Sequence, residues 1–185
     1  IRRRAATIGG HNMDDYPLKM HVFNRARLIK NSKNRIPYGV DLIQKYKRES
    51  WIVFTENKKQ AKEFNKIINT KGFKSALYNT DLDSTERLEN LNKFKKADLN
   101  VLVTCTALDE GFDMPEADGA LILSASSSKR QRVQRMGRVL RITENKPNAL
   151  IVTVYSSKTE FDKLMEEAKR YHKEGVPVSW KRQDR

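Results

Sequence analysis

The chain has 185 residues, and its 37 Lys and Arg outnumber its 23 Asp and Glu, which gives a formal net charge of +14. Such an excess of cations predicts a polyanionic partner, in the first place nucleic acid. The single cysteine, Cys105, excludes an intrachain disulfide framework and favours a reducing intracellular compartment, either cytoplasm or nucleus. No apolar run approaches the roughly 20 residues of a membrane span, so we expect no membrane association. Because the chain begins at Ile1 rather than Met, we expect a fragment of a longer protein.

Residues 1–48 are strongly basic, with twelve Lys and Arg against three Asp. Helical patterns are visible at 25–30 and, more clearly, at 38–47, where Val40 and Ile43 share one side. We expect these residues to form a basic N-terminal arm, or a connection between domains, that contacts the nucleic acid backbone. A solvated and partly disordered tail of a larger protein is the alternative.

From Trp51 onwards, short apolar runs alternate with amphipathic helical patterns. Strands are predicted at 51–54, 73–78, 101–103, 120–123 and 149–154. The alternation predicts an α/β fold, a parallel sheet with helices on both faces, over residues 49–157. The last helical pattern, 158–173, opens a C-terminal helical extension over 158–185. In such a sheet, ligands bind past the carboxyl ends of the strands.

The helical patterns carry start signals and apolar faces. Asn57 is a candidate cap for the first helix after Trp51, and Asp83 or Ser84 for the next. The predicted apolar faces consist of Ala61, Phe64, Ile67 and Ile68 in the first helix, Leu88, Leu91 and Phe94 in the second, and Phe161, Leu164, Met165, Ala168 and Tyr171 in the last.

A polar segment, 104–115, follows the third predicted strand. Thr104 and Thr106 offer hydroxyls and backbone amides to a phosphate oxygen, and Gly111 permits a close backbone approach. Asp113 is a candidate acceptor for a ribose hydroxyl. The alternative is an ordinary strand-to-helix connection whose acids cap backbone amides.

Two other chemistries are not supported. Asp109-Glu110 after an apolar strand looks like an Mg-binding pair, but the chain contains no G-x-x-x-x-G-K-[ST] phosphate loop. Without that loop nothing cradles the β- and γ-phosphates, so this chain alone should not hydrolyse ATP. The three histidines lack metal-ligand spacing with Cys105, and we predict no metal site.

The most unusual stretch is 127–141, which holds five arginines and one lysine and no acid. Like charges at helical spacing repel, so this concentration of cations predicts an anion opposite it. Gly137 can end a helix, and Arg138 and Arg141 then lie three apart around the break. Two guanidinium forks that converge in this way suit a phosphate. A solvated basic helix end is the alternative.

Three segments together carry a family resemblance. Residues 51–57 look like motif IV, the run A-L-D-E-G-F-D-M-P within 104–115 looks like motif V, and residues 134–141 look like motif VI, the Q-x-x-G-R-x-x-R pattern. Over roughly residues 51–180 the chain resembles the second, C-terminal RecA-like domain of superfamily 2 helicases and translocases. Gln134 in place of His argues against the DEAD-box branch, and the run from Ser127 to Arg141 is most similar to the XPB-like branch. Restriction-enzyme motor subunits and phage helicases share much of this pattern.

The resemblance implies a role for each matching residue. Arg138 and Arg141 are the expected arginine fingers, which reach ATP and Mg²⁺ held mainly by a first RecA-like domain, in cis or in trans. Gln134 is expected to position the fingers or the nucleotide. The residues expected at the ribose are Gly111 and Asp113. The residues expected at the nucleic acid backbone are Thr104, Thr106, Thr55 and Asn57.

The resemblance therefore implies the C-terminal motor domain of an ATP-dependent helicase or translocase that acts on nucleic acid, DNA rather than RNA. One alternative is a RecA-like module that binds nucleic acid or a partner without hydrolysis. Another is a motor-subunit fragment of a restriction system. Motifs I, Ia, II and III are absent from the chain, so the fragment alone is expected to be inactive.

Overall fold

The computed structural model describes residues 16–105, 116–124 and 149–181. The helices are α1 (Tyr16–Lys30), α2 (Arg35–Tyr46), α3 (Lys58–Thr70), α4 (Ser84–Lys95) and α5 (Lys158–Lys173). The strands are β1 (Trp51–Thr55), β2 (Ser75–Tyr78), β3 (Val101–Cys105), β4 (Gly119–Ile122) and β5 (Leu150–Thr153). The predicted strands are confirmed with shifts of one or two residues at their ends.

The five strands form one parallel sheet in the order β2-β3-β1-β4-β5. The central strand β1 is buried at every position, as a strand covered on both faces must be. From β1 the chain passes to the edge strand β2, returns to β3 between β2 and β1, and then crosses β1 to reach β4 and β5 on the other side. The order thus reverses next to β1, where sheets of this kind open a crevice at the carboxyl ends of their strands.

The two faces of the sheet have separate apolar cores, because successive side chains of a strand point to opposite faces. Trp51 and Val53 pack with residues of α2 and α3 on one face. Ile52 and Phe54 pack with Leu91 of α4 on the other face. The predicted α/β class, a sheet with helices on both faces, is confirmed.

The helix start signals are also confirmed. The Asn57 side chain accepts a hydrogen bond from the amide of Gln60 at the start of α3, and the Asp83 side chain accepts one from Glu86 at the start of α4. The prediction is wrong for one residue of the apolar faces: Leu88 of α4 is 57% exposed. Only the later part of the α4 stripe reaches the sheet, where Leu91 and Phe94 are buried.

The basic N-terminal region contains more helix than its sequence predicts. α1 spans Tyr16–Lys30 rather than 25–30, and α2 begins at Arg35 rather than at 38. Val40 and Ile43 of α2 are buried in the core beneath the sheet. The division into an arm at 1–48, a domain at 49–157 and an extension from 158 stays a prediction, with the added fact that α2 packs on the domain.

Candidate functional site at the carboxyl edge of the sheet

The predicted site residues divide into two groups. Thr55, Asn57 and Thr104 lie at the carboxyl edge, where β1 and β3 end. The residues that lie outside the described ranges are Thr106, Gly111, Asp113, Gln134, Arg138 and Arg141. The roles of these six residues stay predictions. The geometry of the edge is described below from the residues that precede and follow them in the chain.

Thr55 and Thr104 join the ends of two neighbouring strands. Both are almost completely buried, at 2% and 1% exposure. The Thr55 hydroxyl donates to the Thr104 carbonyl at 3.0 Å, and the Thr104 hydroxyl donates to the Cys105 carbonyl at 3.2 Å. Their hydroxyls are thus hydrogen-bonded within the sheet. A phosphate contact by either hydroxyl would require it to leave a carbonyl partner.

The Asn57 side chain has one partner on each of its polar atoms. Its Oδ1 accepts from the Gln60 amide at 2.9 Å, which caps α3. Its Nδ2 donates to Asn31 Oδ1 at 2.5 Å, which ties the cap to the segment between α1 and α2. Asn57 therefore connects the loop after β1 to residues that precede the sheet in the chain.

The end of α1 lies across the carboxyl ends of β1 and β4. The Lys30 carbonyl accepts from the Ser124 hydroxyl at 3.0 Å and from Gln60 Nε2 at 3.3 Å. Lys30 Nζ forms a half-buried ion pair with Glu56 at 2.7 Å. The place where the strand order reverses is therefore occupied by the protein's own backbone and side chains.

Arg35 is a polar residue of this edge that sequence reasoning missed. It is 1% exposed, and its guanidinium donates to the carbonyls of Leu123 and Val154, the residues that follow β4 and β5 by one position. In the sequence Arg35 is one of twelve cations within residues 1–48, and nothing local marks it as buried. A proline two residues later, at the start of an amphipathic helix, was the only signal of order.

A second polar group lies at the carboxyl end of β2. Asn79 is buried, and its Oδ1 accepts from the Asp81 amide at 3.0 Å. Within the described ranges, Asn79 Nδ2 and Arg87 Nε are buried with no hydrogen-bond acceptor. Burial raises the pKa of the neighbouring Tyr78, and the positive charge of Arg87 opposes that rise. Since buried donors are normally paired, this corner of the edge fits an additional acceptor.

The parts of the chain that the structure describes provide no group of three His, Cys, Asp or Glu able to hold a metal ion. None of the helices described in residues 16–105 and 149–181 is both long and apolar enough to cross a membrane. In the described residues the edge is built from amides, hydroxyls and ion pairs such as Lys30–Glu56.

Fold and edge together define a parallel α/β domain of the RecA-like kind, with buried polar residues at the carboxyl ends of β1, β3 and β4. The chain matches the helicase conserved C-terminal domain over residues 34–143, more than half of its length, and it belongs to that family. The predicted resemblance to the C-terminal domain of superfamily 2 helicases is thereby confirmed. The match begins at the start of α2, which agrees with the packing of α2 on the sheet.

Two relatives and one solved structure illustrate the range of similar proteins. The DNA 3'-5' translocase XPB2 of Sulfurisphaera tokodaii is 36% identical over 129 residues, which are 70% of this chain and 28% of that protein. The ATP-dependent RNA helicase DBP3 of Ajellomyces capsulatus is 28% identical over 166 residues, 86% of this chain and 32% of that protein. The C-terminal domain of the DEAD-box protein Dbp5 shares the fold, with a TM-score of 0.67 and 21% identity over 78% of this chain and 82% of that one. The chain thus spans about a third or less of the length of these two relatives.

Proposed function

We propose that this chain is the second motor half of an ATP-dependent helicase or translocase that acts on nucleic acid. The observation that carries the proposal is the match of residues 34–143 to the helicase C-terminal domain, on a parallel sheet whose carboxyl edge is polar. The net charge of +14 supports an acidic polymer as the substrate. We favour DNA because XPB2, at 36% identity, is named a DNA translocase. RNA is the second candidate, because DBP3 is named an RNA helicase.

The chemistry is divided between two domains in this proposal. The sequence offers no phosphate loop, and the described residues offer no carboxylate cluster for Mg²⁺, so we place the nucleotide and its metal mainly outside this chain. A first RecA-like domain holds both. Arg138 and Arg141 contribute positive charge where negative charge develops on the phosphoryl group, and Gln134 positions them. Gly111 and Asp113 face the ribose.

Nucleic acid runs along the carboxyl edge in this proposal. Backbone amides near Thr104 and Thr106, together with the loop of Thr55 and Asn57, face its phosphates. The buried donors of Asn79 and Arg87 support a phosphate or carbonyl acceptor beside β2. Binding of this kind depends steeply on salt and only weakly on sequence.

The decisive experiment replaces each finger in the full-length protein. Arg138→Ala and Arg141→Ala should each lower nucleic-acid-stimulated ATP hydrolysis on the order of 10³-fold or more. The dissociation constant for ATP should change little, because the first domain holds the nucleotide. Lys169→Ala, which removes an exposed cation from α5, is the charge-matched control and should leave turnover unchanged.

Near-normal turnover in both arginine variants would refute the assignment of the fingers. Full-length protein that binds nucleic acid but never hydrolyses ATP would favour the non-hydrolysing module instead. Stimulation by DNA and by RNA of the same sequence, compared at one salt concentration, decides between the two polymers. The 185-residue chain alone should show no ATPase activity with either.

A further inference from the structure

Arg35 joins the ends of four secondary-structure elements through one buried guanidinium: α1, β4, β5 and α5. Nε donates to the Ile29 carbonyl at the end of α1, at 3.2 Å. One terminal nitrogen donates to the carbonyls of Leu123 and Val154, at 2.8 and 2.9 Å. The other donates to Glu160 at 2.5 and 2.7 Å and to the Ser156 hydroxyl at 2.7 Å. Every nitrogen of the fork has an acceptor.

Such a cluster is poorly explained by stability alone. A buried ion pair loses the hydration of both charges, and well-packed apolar residues in its place are often equally stable. A planar guanidinium with fixed donor directions does, however, set the relative positions of the acceptor groups that it binds. Here it sets the ends of β4 and β5 against the first turn of α5 and the last turn of α1.

The end of β4 links the Arg35 cluster to the proposed function. The chain leaves β4 at Leu123 and Ser124, and in the sequence the basic stretch begins three residues later, at Ser127. Leu123 is held through its carbonyl by Arg35, and Ser124 through its hydroxyl by the Lys30 carbonyl. Both contacts come from the α1–α2 segment, defined as the last residue of α1 (Lys30), the connection 31–34 and the first residue of α2 (Arg35). That segment holds the point from which the basic stretch departs.

We propose that Arg35, held by Glu160, is a positioning residue of the motor: it couples the α1–α2 segment and α5 to the end of β4 from which the arginine-bearing stretch departs. The inference rests on the proposed function, because it takes that stretch to be the one that carries the fingers. Arg35 touches neither nucleotide nor nucleic acid in this proposal. Arg35 affects turnover because it sets the position of the stretch that carries the fingers. Misplacement of a reacting group by about 1 Å can lower a rate about 10²-fold.

Two variants of the full-length protein test the proposal. Glu160→Gln keeps the shape of the side chain but removes the charge that holds the fork, and Arg35→Lys keeps the charge but removes the planar fork. Each should lower the kcat of stimulated ATP hydrolysis by about tenfold or more, with KM for ATP within about twofold. Glu166→Gln is the matched control, the same substitution on the same helix at an exposed ion pair with Lys169, and should leave kcat unchanged.

The split between kcat and KM distinguishes positioning from folding. All variants are assayed at least 15 °C below their own melting temperatures, so that loss of folded protein does not enter the rate. If Glu160→Gln and Arg35→Lys melt earlier but keep wild-type kcat, the cluster is structural only and the proposal is overturned. Arg138→Ala and Arg141→Ala are measured in parallel. If Arg138→Ala and Arg141→Ala both turn over normally, the assignment of the fingers under the proposed function fails. If they lose turnover while the Arg35 and Glu160 variants keep it, this inference alone is overturned.

Discussion

Replacement of Gly119 by alanine should destabilise the domain, although the same change in most strands is favourable. A Cβ on Gly119 would lie 2.6 to 2.8 Å from three ring atoms of Trp51. Ordinary contact between carbon atoms needs 3.5 Å or more, so the ring or the strand must move by roughly 1 Å. Trp51 is fully buried in the central strand, so a shift of its ring must displace packed neighbours.

The expected loss follows from two opposing effects. Overpacking of a well-filled core costs about 1–3 kcal/mol, and the lower flexibility of alanine in the unfolded chain returns about 0.4–1 kcal/mol. We therefore expect a net loss of about 1–2 kcal/mol for Gly119→Ala, or a melting temperature lower by roughly 2–8 °C. Urea unfolding followed by circular dichroism measures the free energy directly.

Gly39→Ala is the matched control for this prediction. A Cβ there meets Leu123 Cδ1 at 2.6 Å, Leu121 Cδ2 at 3.1 Å and Phe64 Cε2 at 3.2 Å. The closest of these atoms is the end of a flexible side chain, and α2 gains from alanine in its interior. The loss should therefore be smaller than at Gly119. If Gly119→Ala is as stable as the wild-type chain, or if Trp51→Leu fails to relieve its loss in the double variant, the packing argument is wrong.

Two further predictions concern polar contacts of the described residues. Asn57→Ala should lower the free energy of unfolding by about 1 kcal/mol through loss of the α3 cap, and Asn57→Asp should retain most of it because it keeps the acceptor. Thermal melts of the two variants check this, and equal losses would contradict it. Hydrogen bonds from Lys58 and Lys62 hold the pKa of the exposed Asp81 below its usual range. Its contribution to stability is therefore present above the unfolded pKa and is lost as pH falls through the folded pKa. An NMR titration in Lys58→Met should show the Asp81 pKa moving upward, and an unchanged value would rule out the contact.

Much of the fold follows from local patterns. The apolar run at 51–54, the Asn57 cap and the final helix at 158–173 are visible without any partner, because each depends on the spacing of side chains along one segment. The family resemblance is local as well, since its motifs are contiguous runs of residues. Leu88 shows the limit of this reasoning: its spacing places it on the α4 stripe, but how much of the stripe meets the sheet is decided by where the helix packs.

Local sequence patterns are enough to predict a basic, parallel α/β domain with a concentration of arginines after its fourth strand. The strand order, and with it the set of segments that meet at the carboxyl edge, depends on contacts between distant parts of the chain. Arg35 illustrates the reason, because its acceptors at Leu123, Val154 and Glu160 lie 88 to 125 residues away in the chain. Periodicity reports which side of a segment is apolar. The partners of a buried charge are set only when distant strand ends are brought together.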